Sequence, residues 1–116
     1  MKLLEGKTAV ITGSSKGLGF AIARSFAEKG ANVVLAARTA ETLQSAVNKL
    51  KNEGFKAEGL ACDTSKLEDV ERLAQTALST FGHLDIWVNN AGISAPYGLT
   101  MSISHEKIKQ VVDTNI

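Results

Sequence analysis

With 116 residues, 13 Lys plus Arg against 12 Asp plus Glu, and a formal net charge of +1, the chain has room for one modest core and not for two full domains. A near-neutral chain with no basic run offers no electrostatic attraction to nucleic acid or to an anionic membrane, and 44% hydrophobic with 22% charged residues is a globular balance, not a disordered one. The single cysteine, Cys62, excludes an internal disulfide framework and a cysteine-cluster metal site, and it fits a reducing compartment.

The start, Met1 to Lys7, holds no apolar run of signal-peptide length. The longest apolar run, Val33 to Ala37, falls far short of the ~20 residues that span a bilayer. A soluble, cytoplasmic chain with no membrane partner is the expectation.

Thr8-Ala9-Val10-Ile11 is short, apolar and β-branched, and predicts a buried first strand. A glycine-rich turn follows, Gly13-Ser14-Ser15-Lys16-Gly17-Leu18-Gly19, and a helix from about Gly17. Leu18, Ala21, Ile22, Ser25 and Phe26 fall on one helical face, and Gly30 stands where a C-terminal cap belongs. Asn32 to Ala36 reads as strand two. Thr39 is a plausible N-cap for a helix carrying Leu43, Ala46, Val47 and Leu50, ended by Gly54. Ala57 to Ala61 reads as strand three. Ser65-Lys66-Leu67-Glu68 has capping-box spacing and opens a helix with Val70, Leu73, Ala74, Ala77, Leu78 and Phe81 inward, stopped by Gly82. Leu84 to Val88 is strand four. Pro96 and Gly98 mark one irregular loop from Gly92 to about Ser102, and a last helix starts near Ser104.

Strands alternating with helices imply right-handed crossovers and a parallel sheet covered on both faces. The strands are apolar runs and do not alternate, as such a sheet requires. The expected fold is α/β: a doubly wound, Rossmann-type parallel sheet in three αβα layers, with strand order 3-2-1-4. Strand four then lies at an edge, yet Ile86-Trp87-Val88 carries no lysine or proline to protect it. Residues 1–116 are therefore expected to form the N-terminal half of a single domain.

The glycine turn lies between a strand and a helix, where absent side chains let the backbone approach a pyrophosphate and the helix N-terminus offers free N–H groups. The G-x-G-x-x-G pattern is not met, because Ser15 takes the place of the second glycine, and no P-loop Gly-Lys-Ser/Thr follows. A plain tight turn is the competing reading.

Thr12-Gly13-Ser14-Ser15-Lys16-Gly17-Leu18-Gly19 resembles the T-G-x-x-x-G-x-G cofactor motif of the short-chain dehydrogenase/reductase family. Asn89-Asn90-Ala91-Gly92, right after strand four, is similar to that family's N-N-A-G motif. Asp63, with Thr64 beside it, falls where the family has an aspartate that contacts the adenine ring. The three matches stand in family order and spacing. They imply NAD(P)-dependent interconversion of alcohols and carbonyls, with Gly13, Ser14, Ser15, Lys16, Gly17, Leu18, Gly19, Arg38, Asp63, Thr64, Asn90, Ala91 and Gly92 around the cofactor. Read as residues alone, Asn89 and Asn90 could satisfy loop backbone, Asp63 could cap the next helix while also touching adenine, and Thr12 braces the turn by hydrogen bonding.

An NAD-using enzyme places an acid near the end of strand two to accept from the ribose hydroxyls. No acid lies between Lys29 and Glu41; Arg38 stands there instead, and Lys16 lies in the turn. The resemblance places both cations around the 2′-phosphate of NADP, which a guanidinium binds in bidentate fashion and an ammonium as a point charge. Two solvated surface cations are the alternative.

The family's chemistry uses an Asn, a Ser and a Tyr-x-x-x-Lys. Asn115 resembles the family asparagine, which helps hold a proton relay. The only tyrosine, Tyr97, has Met101 four residues on, not lysine; it is a loop residue lining or covering the cleft, and the serine and the Tyr-x-x-x-Lys are expected downstream of Ile116. His83 and His105 read as exposed and are not spaced as metal ligands, Trp87 as core, and Cys62 as a small buried residue. The implied function is an NADP(H)-dependent oxidoreductase acting on a small carbonyl or alcohol, a homo-oligomer as the complete protein. The alternative is a non-catalytic NADPH-binding or interaction module. By itself the chain is expected to be inactive and, with strand four open, to aggregate or dimerise.

Overall fold

The computed structural model describes residues 3–90 and the strand 100–103. Eight elements follow in chain order: β1 (Thr8–Thr12), α1 (Gly17–Glu28), β2 (Asn32–Ala37), α2 (Ala40–Asn52), β3 (Ala57–Ala61), α3 (Leu67–Phe81), β4 (Ile86–Asn89) and β5 (Thr100–Ile103). They form one five-stranded sheet in the order β3-β2-β1-β4-β5. The first four strands are parallel, with Val10 beside Val34 on one side and Trp87 on the other. The expected doubly wound α/β sheet with order 3-2-1-4 and flanking helices is the observed one.

Successive strand residues point to opposite faces, and both faces are apolar. Ala9, Ile11, Val33, Leu35, Ile86 and Val88 pack with α1 and α2 through Ala23, Ala27, Leu43, Val47 and Leu50. Val10, Val34, Ala36 and Trp87 pack on the other face with Leu73, Ala74 and Ala77 of α3. This two-sided burial is why the strands read as unbroken apolar runs. Trp87 is core, as expected. The glycine stops of the helices also agree: Gly82 ends α3 at φ 89°, with its N–H donating to Leu78 O at 2.9 Å.

Four local expectations are corrected. α1 buries Gly19, Ala23 and Ala27 most deeply; of the expected face, Ile22 and Phe26 do pack against the core, while Leu18 and Ala21 are exposed. Apolar residues surround this helix, so periodicity alone selects no face, and the small residues win because α1 approaches the sheet closely. The capping box at Ser65 does not form. The N-cap of α3 is Lys66 without a side-chain cap, and the Ser65 hydroxyl donates to Asp63 Oδ1 at 2.6 Å instead. β1 runs on through Thr12, and β4 starts at Ile86, not Leu84.

The fourth correction concerns the edge. Thr100–Ile103, expected inside an irregular loop, forms β5 antiparallel to β4, with Ile86 opposite Ile103 and Asn89 opposite Thr100. The edge of β4 expected to lie open is therefore paired, which satisfies its outward backbone groups. The helix expected from Ser104 lies outside the described residues.

Candidate cofactor-binding site

Parallel strands align their carboxyl ends, so the turns after β1, β2, β3 and β4 gather along one edge of the sheet. Open α/β sheets bind ligands at such an edge.

The turn after β1 is built from its backbone outward. Gly13 and Gly17 hold φ of 60° and 63°, in the left-handed region that other residues enter at a cost. Ser14 is fully buried. Its Oγ donates to Ile11 O at 2.7 Å and accepts the Ala36 N–H at 3.0 Å. Its own N–H donates to Ala36 O at 3.0 Å. Ser14 thus continues the β1–β2 ladder past the end of β1 and ties the turn to the strand end that carries Arg38. Side chain and backbone N–H of Ser14 are both taken up by the core, so this residue shapes the turn from beneath.

The turn is braced again from β4. Thr12 Oγ1 donates to Asn89 Oδ1 at 3.0 Å and accepts the Asn90 N–H at 2.8 Å. Asn90 Nδ2 donates to Gly13 O at 3.1 Å. A Cβ on Gly19 would overlap Gly13 O and come within 2.7 Å of Asn90 Nδ2. The last glycine of the motif is therefore required by the packing of the other two parts. The alternative kept open for these asparagines, satisfying loop backbone, describes the Asn90 side chain.

The N-terminus of α1 differs from the other two. α2 carries Glu41 in its first turn, and α3 carries Glu68 and Asp69. α1 has no acid there, and its N-cap residue is Lys16; like α2 and α3 it has no side-chain cap, and α3 also has a lysine at its N-cap, Lys66. Phe20 N–H is the first to reach back, to Lys16 O at 3.4 Å, so the N–H groups of Gly17, Leu18 and Gly19 point ahead of the helix. A lysine here adds to the positive end of the helix dipole. Such an end suits a phosphate, and the glycine cradle leaves room for one.

Lys16 and Arg38 are both exposed, and neither forms an ion pair among the described residues. Asp63 stands after β3. Hydrogen bonds from the Ser65 hydroxyl and N–H, helped by the charges of Arg38 and Lys66, hold its carboxyl below the usual carboxylate range. Arg38 and Asp63 follow the ends of neighbouring strands, one after β2 and one after β3. Asp63 forms a turn with Ser65, short of capping α3. Cys62, buried as expected, has its thiol pushed up by burial and by the Asp69 carboxylate.

Thr64 is half-buried beside Asp63, and Ser15 half-buried in the turn. Ala91, Gly92, Tyr97, His105 and Asn115 lie outside the described residues. His83 is exposed in its turn, its Nδ1 2.6 Å from Asp85 Oδ2. Asp85 Oδ2 also accepts the Thr8 N–H at 2.9 Å, which puts this pair at the opposite end of β1 from the glycine turn. Among the described residues no group of His, Cys, Asp and Glu is arranged to hold a metal ion, and no helix is long and apolar enough to cross a membrane.

The family model described as short chain dehydrogenase matches residues 7–116. The chain belongs to the short-chain dehydrogenase family. An uncharacterized oxidoreductase of Bacillus subtilis, YxnA, is 47% identical over 115 residues, covering 99% of this chain and 32% of that protein. Dehydrogenase/reductase SDR family member 4 of Bos taurus is 40% identical over 113 residues, 97% of this chain and 40% of that protein. Among solved structures, a hydroxysteroid dehydrogenase from Escherichia coli matches at a TM-score of 0.73 and 39% identity, over 76% of this chain and 37% of that one. An actinorhodin polyketide ketoreductase variant, solved with NADPH, matches at 0.73 and 32% identity, over 80% of this chain and 36% of that one. The chain spans about a third to two fifths of the length of these short-chain dehydrogenase relatives. Two contacts escaped the sequence reading: the inward hydrogen bonds of the Ser14 hydroxyl and the bond from the Asp63 N–H to the Asp69 carboxylate, neither of which has a periodic signal.

Proposed function

We propose that residues 1–116 form the NADP(H)-binding half of a single Rossmann-type domain, in an oxidoreductase that interconverts a small-molecule carbonyl and its alcohol. The observation that carries this reading is the charge pattern of one edge: an α1 N-terminus with no acid, Lys16 at its cap, and Arg38 exposed after β2 where an NAD enzyme would place a carboxylate. The dinucleotide supplies a hydride equivalent. The chain supplies the cradle. Gly13 to Gly19 receive the pyrophosphate, Lys16 and Arg38 the 2′-phosphate, and Asp63 with Thr64 the adenine. Asn90, Ala91 and Gly92 also bind the cofactor, and Asn115 helps hold the proton relay. Tyr97, followed by Met101 in place of lysine, is not the proton donor. The complete protein works as a cytoplasmic homo-oligomer.

Titration of the protein with NADPH and NADH tests the reading. Charge-assisted contacts to a phosphate, at an exposed site, are worth about tenfold in affinity per cation. NADPH should bind more tightly, and Arg38→Ala should weaken NADPH about tenfold while leaving NADH unchanged. Equal affinities for the two cofactors would remove the charge argument.

A further inference from the structure

The turn between β3 and α3 is held at three points. Its start is tied to β2, where Cys62 N–H donates to Ala37 O at 2.9 Å. Its end is tied to itself, where Lys66 N–H donates to Asp63 O at 3.0 Å. Between them, the Asp63 N–H donates to Asp69 Oδ2 at 2.8 Å. Asp69 is anchored in turn, its Oδ1 3.3 Å from Arg72 Nη2. Its side chain is only 19% exposed, against 60% for Arg72, so this carboxylate is held between the turn and its own helix.

An acid at the third helical position ordinarily reaches back to the N–H of its own N-cap residue. Asp69 reaches past the N-cap, Lys66, to Asp63. Its acceptor thus serves the turn and not the helix. The Asp63 carboxylate is fixed from the other side, with Oδ1 accepting the Ser65 N–H at 2.9 Å and the Ser65 hydroxyl at 2.6 Å. Backbone and side chain of Asp63 are therefore both immobilised, on the edge that also carries Arg38.

We infer that Asp69 is a positioning residue of the cofactor site: by accepting the Asp63 N–H it sets the β3–α3 turn, and with it the Asp63 carboxylate, against the adenine end of the dinucleotide. The inference rests on the cofactor reading above. Pre-organisation of this kind raises affinity by removing an ordering cost at binding. Its effect is confined to the part of the ligand that the turn meets.

Three probes separate the ends of the ligand: NADPH, adenosine 2′,5′-bisphosphate (the adenine end alone) and reduced nicotinamide mononucleotide (the other end alone). Asp69→Ala should weaken NADPH and the bisphosphate by the same factor, about fivefold for one lost hydrogen bond, and leave the mononucleotide unchanged. Asp69→Asn keeps an acceptor oxygen and should restore both to within about twofold of the parent. Asp63→Ala combined with Asp69→Ala should lose less affinity than the two single losses added, because Asp69 acts in part through the Asp63 carboxylate that it positions. Unchanged bisphosphate affinity in Asp69→Ala, additive losses in the double variant, or equal losses on all three probes would each overturn the inference. If the alanine variant does not fold, Asp69→Glu keeps the charge, displaces the acceptor by one methylene and takes its place with the same outcomes. A parent protein that binds none of the probes overturns the cofactor reading itself, a result distinct from the others.

Discussion

Asn90 Nδ2 donates to the carbonyl of Gly13 at 3.1 Å, across 77 residues of sequence. The end of β4 thereby holds the first carbonyl of the glycine turn, and the same residue's N–H is held by Thr12 Oγ1. Asn90→Ala should weaken NADPH about fivefold, as one hydrogen bond is lost. Asn90→Asp should weaken it more, because a carboxylate would face both a carbonyl oxygen and the ligand's phosphates. Calorimetric titration of the two variants at neutral pH checks the order; an aspartate variant that binds as well as the alanine variant would contradict it.

Gly19→Ala and Gly54→Ala should separate packing from backbone strain. A Cβ at Gly19 overlaps Gly13 O, and overpacking of this kind costs about 1–3 kcal/mol and displaces the turn. Gly54 has φ +91° with nothing within 4 Å of a Cβ, so its cost is conformational, about 1–2 kcal/mol. Both variants should melt at lower temperature. Only Gly19→Ala should abolish NADPH binding, measured well below the melting point.

Ser14→Ala should destabilise the fold by about 1–3 kcal/mol, since the Ala36 N–H loses its acceptor at a fully buried site. Urea unfolding gives the number. A change below a few tenths of a kcal/mol would mean that this end of β2 relaxes to find another partner.

Cys62 should be inert to iodoacetamide at neutral pH, because burial and Asp69 raise its thiol pKa and the thiolate is the nucleophile. The sign for stability follows from the same shift. A pKa raised in the folded state gives a contribution that is complete below the unfolded thiol's pKa and lost as pH rises through the folded value. The parent protein should therefore lose more stability between neutral and alkaline pH than Cys62→Ala does, as followed by thermal melts.

Sequence alone determined the kind and order of the elements. Apolar runs at Thr8, Asn32, Ala57 and Ile86, separated by helical stretches with glycine stops, leave few arrangements besides a parallel sheet with crossovers, because chain handedness removes most of them. The edge proposed for the cofactor was legible for the same reason: a glycine turn between strand and helix, and a cation in place of an acid at Arg38, are local facts. What the tertiary structure decided is which neighbours meet. The inward face of α1 depends on how closely Gly19 approaches Gly13 and Asn90, and no periodicity encodes a distance across the sheet. Ser65 pairs with Asp63 and not with the helix, because the Asp63 carboxylate takes both its N–H and its hydroxyl and the N-cap falls one residue later, at Lys66. β5 became visible only as a partner for β4, since a four-residue strand with polar Thr100 and Ser102 has too weak a local signal until an edge with unpaired backbone groups is there to receive it.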